Sequence, residues 1–349
     1  MNLLRFLAKA AAIIVGAFFL YLLFVAIAPG MSVPEEPLNN RNPAAQEKDV
    51  QRAGSKKDVS FEVKGTSLSA WLHLPEHLSA PVPCIVMASG AGGTKDMGTV
   101  PYALRFQEAG FAVLLFDYRH FGESGGEPRQ LLSIPQQLED YASAIEYARS
   151  LKEIDPTKVA LWGTSLSGGH VIVLAARDHG IACVVAQCPE LDARASGRMF
   201  LKREGIRHAL RLMIHGHRDV VRSWLGFPPH RIPIVGKPGT IALTRAPDAY
   251  EAFRRLAPRG FVNAVCARSI LAGDDYRPVK HAHNVRCAVL LQICDYDTFT
   301  AASAAEETAK QLGTFGKVIH YPIGHFDIYL GSNFERSVSD QLAFFRRHL

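Results

Sequence analysis

One short segment constrains this chain more than any other: Lys158-Val-Ala-Leu-Trp-Gly163-Thr164-Ser165-Leu166-Ser167-Gly168-Gly169-His170. Its first residues are apolar and continuous, as in a strand buried on both faces. Its last residues begin an apolar stretch with helical spacing. Between them the chain must reverse in a few residues, and a serine stands at the reversal. Strand and helix pass close together there, so small residues must flank the serine. Gly163 lies two before it, and Ser167 takes the place two after it where glycine is more usual. A helix that starts at this point also presents its N-terminus to any negative charge that develops beside the serine. This is the context a nucleophile elbow requires.

The rest of the chain supplies a matching frame. Pro83–Ala88, Phe111–Phe116, Lys158–Trp162, Ile181–Ala186, Ala288–Ile293 and Lys317–Tyr321 are short apolar runs that predict strands. Ser69–Leu74 alternates and predicts an exposed antiparallel strand. Tyr102–Ala109, Gln136–Leu151, Gly168–Arg177 and Ser337–His348 read as helices. Strand–helix alternation of this kind predicts an α/β domain with a mostly parallel sheet covered on both faces. The domain should begin near Asp58 and run to Leu349.

Residues 193–282 break the rhythm, with helical stretches and no clear central strand. They hold 17 of the 39 Lys+Arg and 6 of the 33 Asp+Glu, a net of +11, which leaves 22 − 27 = −5 for the remainder. Met199, Phe200, Ile206, Leu210, Met213 and Ile214 recur at helical spacing, with Lys202, Arg203, Arg207, Arg211 and Arg218 between them. Such a basic amphipathic stretch suits anionic headgroups, an anionic substrate, or a solvated face with no special task. Nucleic acid is not expected, because the rest of the domain is acidic and no reading motif occurs.

The N-terminus is a separate piece. Ala10 to Ala28 is a run of 19 residues without a charge. As a helix it would span roughly 28 Å, close to a bilayer's hydrocarbon thickness. A single-pass signal anchor over residues 1–30 fits this length and the flanking Arg5 and Lys9. A cleaved signal peptide fits the basic start and the Ala26-Ile27-Ala28 triplet, but Pro29 follows at once. A buried core helix is the plainest alternative. The charge bias points to an extracytoplasmic domain. Six cysteines pull against that side, since they are too sparse for a disulfide framework and three fall in or beside buried strands. Residues 31–58 are polar and proline-bearing and read as a linker. With 48% hydrophobic and 21% charged residues, the whole is neither disordered, collagen-like nor a coiled coil.

Four more motifs follow strands in order: Ser89-Gly90-Ala91-Gly92-Gly93, Asp117-Tyr-Arg119-His-Phe-Gly122-Glu-Ser-Gly-Gly126, Cys294-Asp295-Tyr296-Asp297 and Gly324-His325-Phe326-Asp327. With the elbow, they make the sequence resemble the α/β-hydrolase superfamily. Within it the likeness is to dienelactone-hydrolase-like and X-prolyl-peptidase-like serine hydrolases, over about Ser60 to Leu349. The resemblance implies an α/β-hydrolase fold with a helical lid over 193–282, and it implies roles. Ser165 would be the nucleophile, His325 the base and Asp297 the acid that orients it. The backbone N–H groups of Ala91 and Leu166 would form the oxyanion hole. Asp295 competes with Asp297, and Glu190 and Asp192 follow an earlier strand where some relatives carry the acid.

A serine hydroxyl needs an adjacent base near neutral pH. Histidine takes that proton and returns it to the leaving group, and a carboxylate holds the imidazole in the right tautomer. The implied reaction is hydrolysis of an ester, or second a peptide or amide, of a small-molecule or peptide acyl substrate. Acyl transfer would use the same residues, and a catalytically silent, membrane-tethered binding protein is the rival from another class. No cofactor is implied. His215-Gly-His217 and His281-Ala-His283 lack a Cys or carboxylate at ligand spacing, so no metal is expected. His320 reads as structural, and Asp117, Arg119 and Gly122 as shaping a turn beside the oxyanion loop.

Overall fold

The computed structural model describes residues 2–27, 38, 55–76, 80–273 and 275–349. Ala28 and most of the 31–58 linker lie outside the described residues. The first helix, α1 (Asn2–Ile27), starts earlier than the apolar run. Its span Arg5–Val25 is long and apolar enough to cross a membrane, by length and composition.

The domain opens with β1 (Lys56–Val63) and β2 (Thr66–His73), an antiparallel pair. Lys64 and Gly65 join them, both at positive φ (50° and 79°), the twist that a two-residue hairpin requires. Then follow β3 (Val82–Ala88), α2 (Val100–Glu108), β4 (Ala112–Phe116), α3 (Ile134–Ser150), β5 (Ile154–Thr164), α4 (Leu166–Arg177) and β6 (Cys183–Gln187). An insertion carries α5 (Ala193–Glu204), α6 (Ile206–Trp224), β7 (Arg231–Ile232), α7 (Pro247–Leu256) and β8 (Val265–Cys266). The chain closes with β9 (Ala288–Cys294), α8 (Ala302–Leu312), β10 (Gly316–Tyr321) and α9 (Gly331–His348).

The main sheet has eight strands in the order β1-β2-β4-β3-β5-β6-β9-β10. Only the β1–β2 and β2–β4 pairings are antiparallel. From β4 to β10 every neighbour is parallel. Helices α3, α4 and α8 pack on one face and α2 and α9 on the other. This burial of both faces is why β4 and β6 are wholly buried and read as unbroken apolar runs. The predicted strands and helices all appear, but β2, expected to be exposed, lies between β1 and β4 with alternate residues buried against the core. The sequence reading omitted α8, whose buried residues Ala304, Ala305 and Thr308 are small and make a weak stripe.

One polar network crosses the apolar layer under the elbow. Gln187 and Gln292 are register partners on β6 and β9. Gln341 Nε2 from α9 donates to the Oε1 of both, at 2.9 and 2.5 Å, and Gln341 Oε1 accepts from Trp162 Nε1 at 2.9 Å. Buried amides are tolerated only when so satisfied. This network locks α9 in register against the carboxyl ends of the central strands. The insertion has a smaller core of its own, built on Leu212, Ile232, Ile234, Phe253 and Val265. Leu38 is buried in that core.

Candidate active site

The site forms at the carboxyl ends of β3, β5, β9 and β10, where the parallel strands hand over to loops. At the end of β5 the chain reaches Ser165 in a strained conformation, φ 54° and ψ −120°. A non-glycine residue held there costs on the order of 1–3 kcal/mol. The surroundings enforce it: Ser165 N–H donates to Gln187 O at 2.9 Å, and Ser165 O accepts from Glu190 N–H at 2.8 Å. Close approach explains the small residues. A Cβ on Gly163 would stand 2.1 Å from the Ser167 carbonyl oxygen, and one on Gly169 would stand 2.1 Å from Glu190 O. Ser167, where glycine is more usual, has a purpose here. Its hydroxyl donates to Ser89 O and bonds the Tyr118 hydroxyl, so it pins the Ser89–Gly93 loop to the elbow. Gly163→Ala therefore requires the backbone to move. It is expected to destabilise the chain by about 3 kcal/mol or more, seen in thermal unfolding as a Tm drop of about 5 °C or more.

The Ser89–Gly93 loop lies over Ser165. A Cβ on Gly90 would come within 2.8 Å of the Ser165 Cβ. Ala91 lines the same cavity as Ser165. Leu166 is the first residue of α4, so its N–H has no carbonyl one turn back. Both candidate oxyanion donors thus belong to backbone that borders the serine.

His325 and Asp297 meet. His325 Nδ1 lies 2.6 Å from Asp297 Oδ2, and both side chains are buried. The other oxygen of Asp297 accepts from the N–H groups of Phe299 and Thr300, at 2.7 and 2.9 Å, and Thr300 Oγ1 donates to Oδ2 at 2.7 Å. Burial pushes the Asp297 carboxyl up, but His325 and the Thr300 hydrogen bonds outweigh it and hold it below the usual carboxylate range. The imidazole packs against the rings of Phe299 and Phe326, with centroids at 5.4 and 4.9 Å. Ser165 and His325 line one cavity without a direct hydrogen bond. Contacts of this kind commonly tighten only with substrate in place.

The competing carboxylates are engaged elsewhere. Asp295 bonds His320 Nδ1 at 2.6 Å on the exposed edge of β10, so His320 is structural and Asp295 belongs to it. Asp192 caps α5 through Arg194 and Ala195 N–H and pairs with Arg277. Glu190 is different: it lines the cavity, and burial raises its carboxyl to about 7. His215 bonds His230, and His217 bonds the Met213 carbonyl.

The Asp117 turn also has a physical account. Lys95, just past the glycine loop, is 2% exposed. Its Nζ donates to Asp117 at 2.7 Å and to Glu123 at 2.6 Å, and its N–H donates to Asp117 at 2.6 Å. Sequence reasoning passed over Lys95, because it stands alone in a loop without periodic neighbours. A buried lysine with two carboxylate partners ties this turn to the loop over Ser165. Arg119 is held in the same turn by Asp140.

The cavity holds about 350 Å³. Its walls are apolar: Met97, Phe200, Ile234, Leu243, Phe253 and Phe299 among others, several of them from the insertion. Arg203 reaches the rim with its guanidinium 4.5 Å over the Phe299 ring. A volume of this size suits a small ligand with an apolar part.

Comparisons with known proteins bear on this geometry. Residues 64–214 match the model of the X-Pro dipeptidyl-peptidase (S15 family). The chain is 41% identical over 292 residues to "Quorum-quenching protein AidA" of Acinetobacter baumannii (strain MDR-ZJ06), covering 83% of this chain and 94% of that protein. It is 24% identical over 304 residues to "Thiohydrolase" of Eupenicillium brefeldianum, covering 83% of this chain and 94% of that one. The fold is shared with the α/β hydrolase GrgF from Penicillium sp. sh18, at a TM-score of 0.73 and 23% identity, over 84% of this chain and 99% of that chain.

Proposed function

The chain belongs to the α/β-hydrolase superfamily, in the family that includes quorum-quenching protein AidA, and from that premise we propose that it is a serine hydrolase of acyl esters working through Ser165, His325 and Asp297. The observation that carries the proposal is the 2.6 Å His325–Asp297 pair, buried beside a serine held at φ 54°. His325 takes the Ser165 proton as the hydroxyl attacks the acyl carbonyl. The tetrahedral oxyanion forms against the N–H groups of Ala91 and Leu166. One such donor is typically worth about 3 kcal/mol in the transition state. Asp297 keeps the Nδ1–H tautomer and stabilises the imidazolium. His325 then protonates the leaving group and activates the water that releases the acyl chain. Segment 193–282 acts as the lid that closes the acyl pocket, and no cofactor is needed for these steps.

The pocket favours an apolar acyl group over a dipeptide. A dipeptidyl substrate brings a free ammonium group, which wants carboxylate partners. Glu190 is the one carboxylate among the described lining residues, and its raised pKa leaves it partly neutral near pH 7. The relatives named as a quorum-quenching protein and a thiohydrolase support hydrolysis of a small molecule, and the apolar pocket makes an acyl ester or thioester the proposed substrate class. α1 serves as a single-pass signal anchor that holds the domain at an extracytoplasmic membrane face.

The test is a panel of nitrophenyl esters of increasing acyl length, acyl thioesters and X-Pro nitroanilides. The kcat/KM for esters should rise with chain length by about 10-fold per two methylenes until the cavity is filled, and exceed that for X-Pro amides throughout. Preference for X-Pro amides would overturn the acyl reading.

A further inference from the structure

The insertion presents an unusual surface. Outside α1, the described exposed large hydrophobics are Leu201, Ile206, Leu210, Met213, Ile214, Trp224, Leu225, Phe227, Val262, Tyr296 and Phe315, and eight of these eleven fall between 201 and 227. On α6 they form one face. Ile206, Leu210, Met213, Ile214 and Trp224 follow helical spacing and are 62, 51, 46, 67 and 73% exposed. The opposite face, with His208, Leu212, His215 and Asp219, is buried against the insertion. A concentrated apolar patch of this kind marks an interaction site.

From this face we propose that α6 is a docking surface for an anionic lipid leaflet, lying in the headgroup region beside α1. The inference rests on the reading of α1 as a membrane anchor. Three features select a bilayer as the occupant. First, α1 packs against α6. Second, the contact lies where it should. Val25, the last residue of the membrane-length span, is 2% exposed, and Val221, on the apolar face of α6, is 6% exposed. The rest of α1 displays Phe18, Leu20 and Phe24 with no protein partner covering them. Among the described side chains of α1, burial thus falls at the end of the span where α1 would leave the hydrocarbon. Third, Arg207 and Arg211 are exposed along one flank of the stripe. Their long stems can lie along apolar surface while the guanidinium groups reach phosphate. An acyl substrate dissolved in the leaflet would then lie next to the helices that line the cavity.

The test uses the full chain, reconstituted into phosphatidylcholine vesicles with and without phosphatidylglycerol, with brominated acyl chains as quenchers. Environment-sensitive fluorophores are placed singly at Ile214→Cys on α6, Phe18→Cys on α1 and Glu307→Cys on the exposed face of α8. The native cysteines are free, and all but the partly exposed Cys287 are buried, so the unsubstituted chain sets the labelling background. The Phe18 and Ile214 labels should be quenched about 3-fold more than the Glu307 label, with Phe18 deepest and Ile214 quenching strongest with phosphatidylglycerol. Arg207→Glu with Arg211→Glu should weaken the Ile214 signal alone. Quenching at Phe18 without quenching at Ile214 overturns the docking surface and leaves the anchor. Quenching at neither site overturns both. A concentration-dependent blue shift of the Ile214 label in detergent, with no quenching in vesicles, would assign the face to a second copy and overturn the lipid proposal.

Discussion

His325→Ala should lower kcat on a good ester by about 10⁴-fold or more, with KM changed little. The expected loss is large because the proposed mechanism gives one side chain three steps: deprotonating Ser165, protonating the leaving group and activating water. The residual rate would come from binding and the oxyanion donors. Far-UV and near-UV spectra should match those of the native chain. The rings of Phe299 and Phe326, which pack against each other as well as against the imidazole, keep the pocket walled after truncation. A loss of only a few-fold, with the spectra unchanged, would exclude His325 as the base.

Asp297→Asn should cost about 10³–10⁴-fold in kcat. The amide oxygen can still accept from the Phe299 and Thr300 N–H groups, so the loop should hold. What is lost is the negative charge facing Nδ1, and with it the correct tautomer and the stabilised imidazolium. The same change at Asp295 supplies the contrast. Asp295 pairs with His320 at an exposed edge, where a single ion pair is worth about 1 kcal/mol or less. Asp295→Asn should therefore alter kcat by less than about 3-fold. Equal losses at the two positions, measured by steady-state ester hydrolysis, would contradict the assignment of the acid.

These two aspartates show where sequence reading reaches its end. The places of Ser165 at the strand–helix reversal and of His325 after the last strand were legible because their signal is local. A strand, a reversal walled by small residues and a helix require a particular run of side chains, and the histidine follows the last strand directly. The parallel sheet was legible for a related reason: strands covered on both faces are apolar throughout, and β4 and β6 are that. Asp295 and Asp297 share one loop and one chemistry. Only the fold shows that Thr300 and Phe299 cradle one while His320 takes the other.

Other features depend on contacts distant in sequence. Lys95 gains meaning from Asp117 and Glu123, and Leu38 from a core built mostly from residues 212–267. The missed α8 presents a stripe of alanines, too weak to stand out by pattern. The insertion shows a further limit. Its apolar residues were read at helical spacing, but spacing fixes a face and not its partner. Phe200 points into the cavity, while Ile206 and Ile214 point outward.

The central claim is that Ser165 is an activated nucleophile, and the most direct measurement is covalent labelling of the full chain in detergent by a fluorophosphonate probe, followed by peptide mass mapping. The account predicts a single phosphonyl adduct on the peptide carrying Ser165, no adduct in Ser165→Ala, and labelling slowed in His325→Ala. Folded protein that remains unlabelled, or that is labelled on another residue in both the native chain and Ser165→Ala, would contradict it.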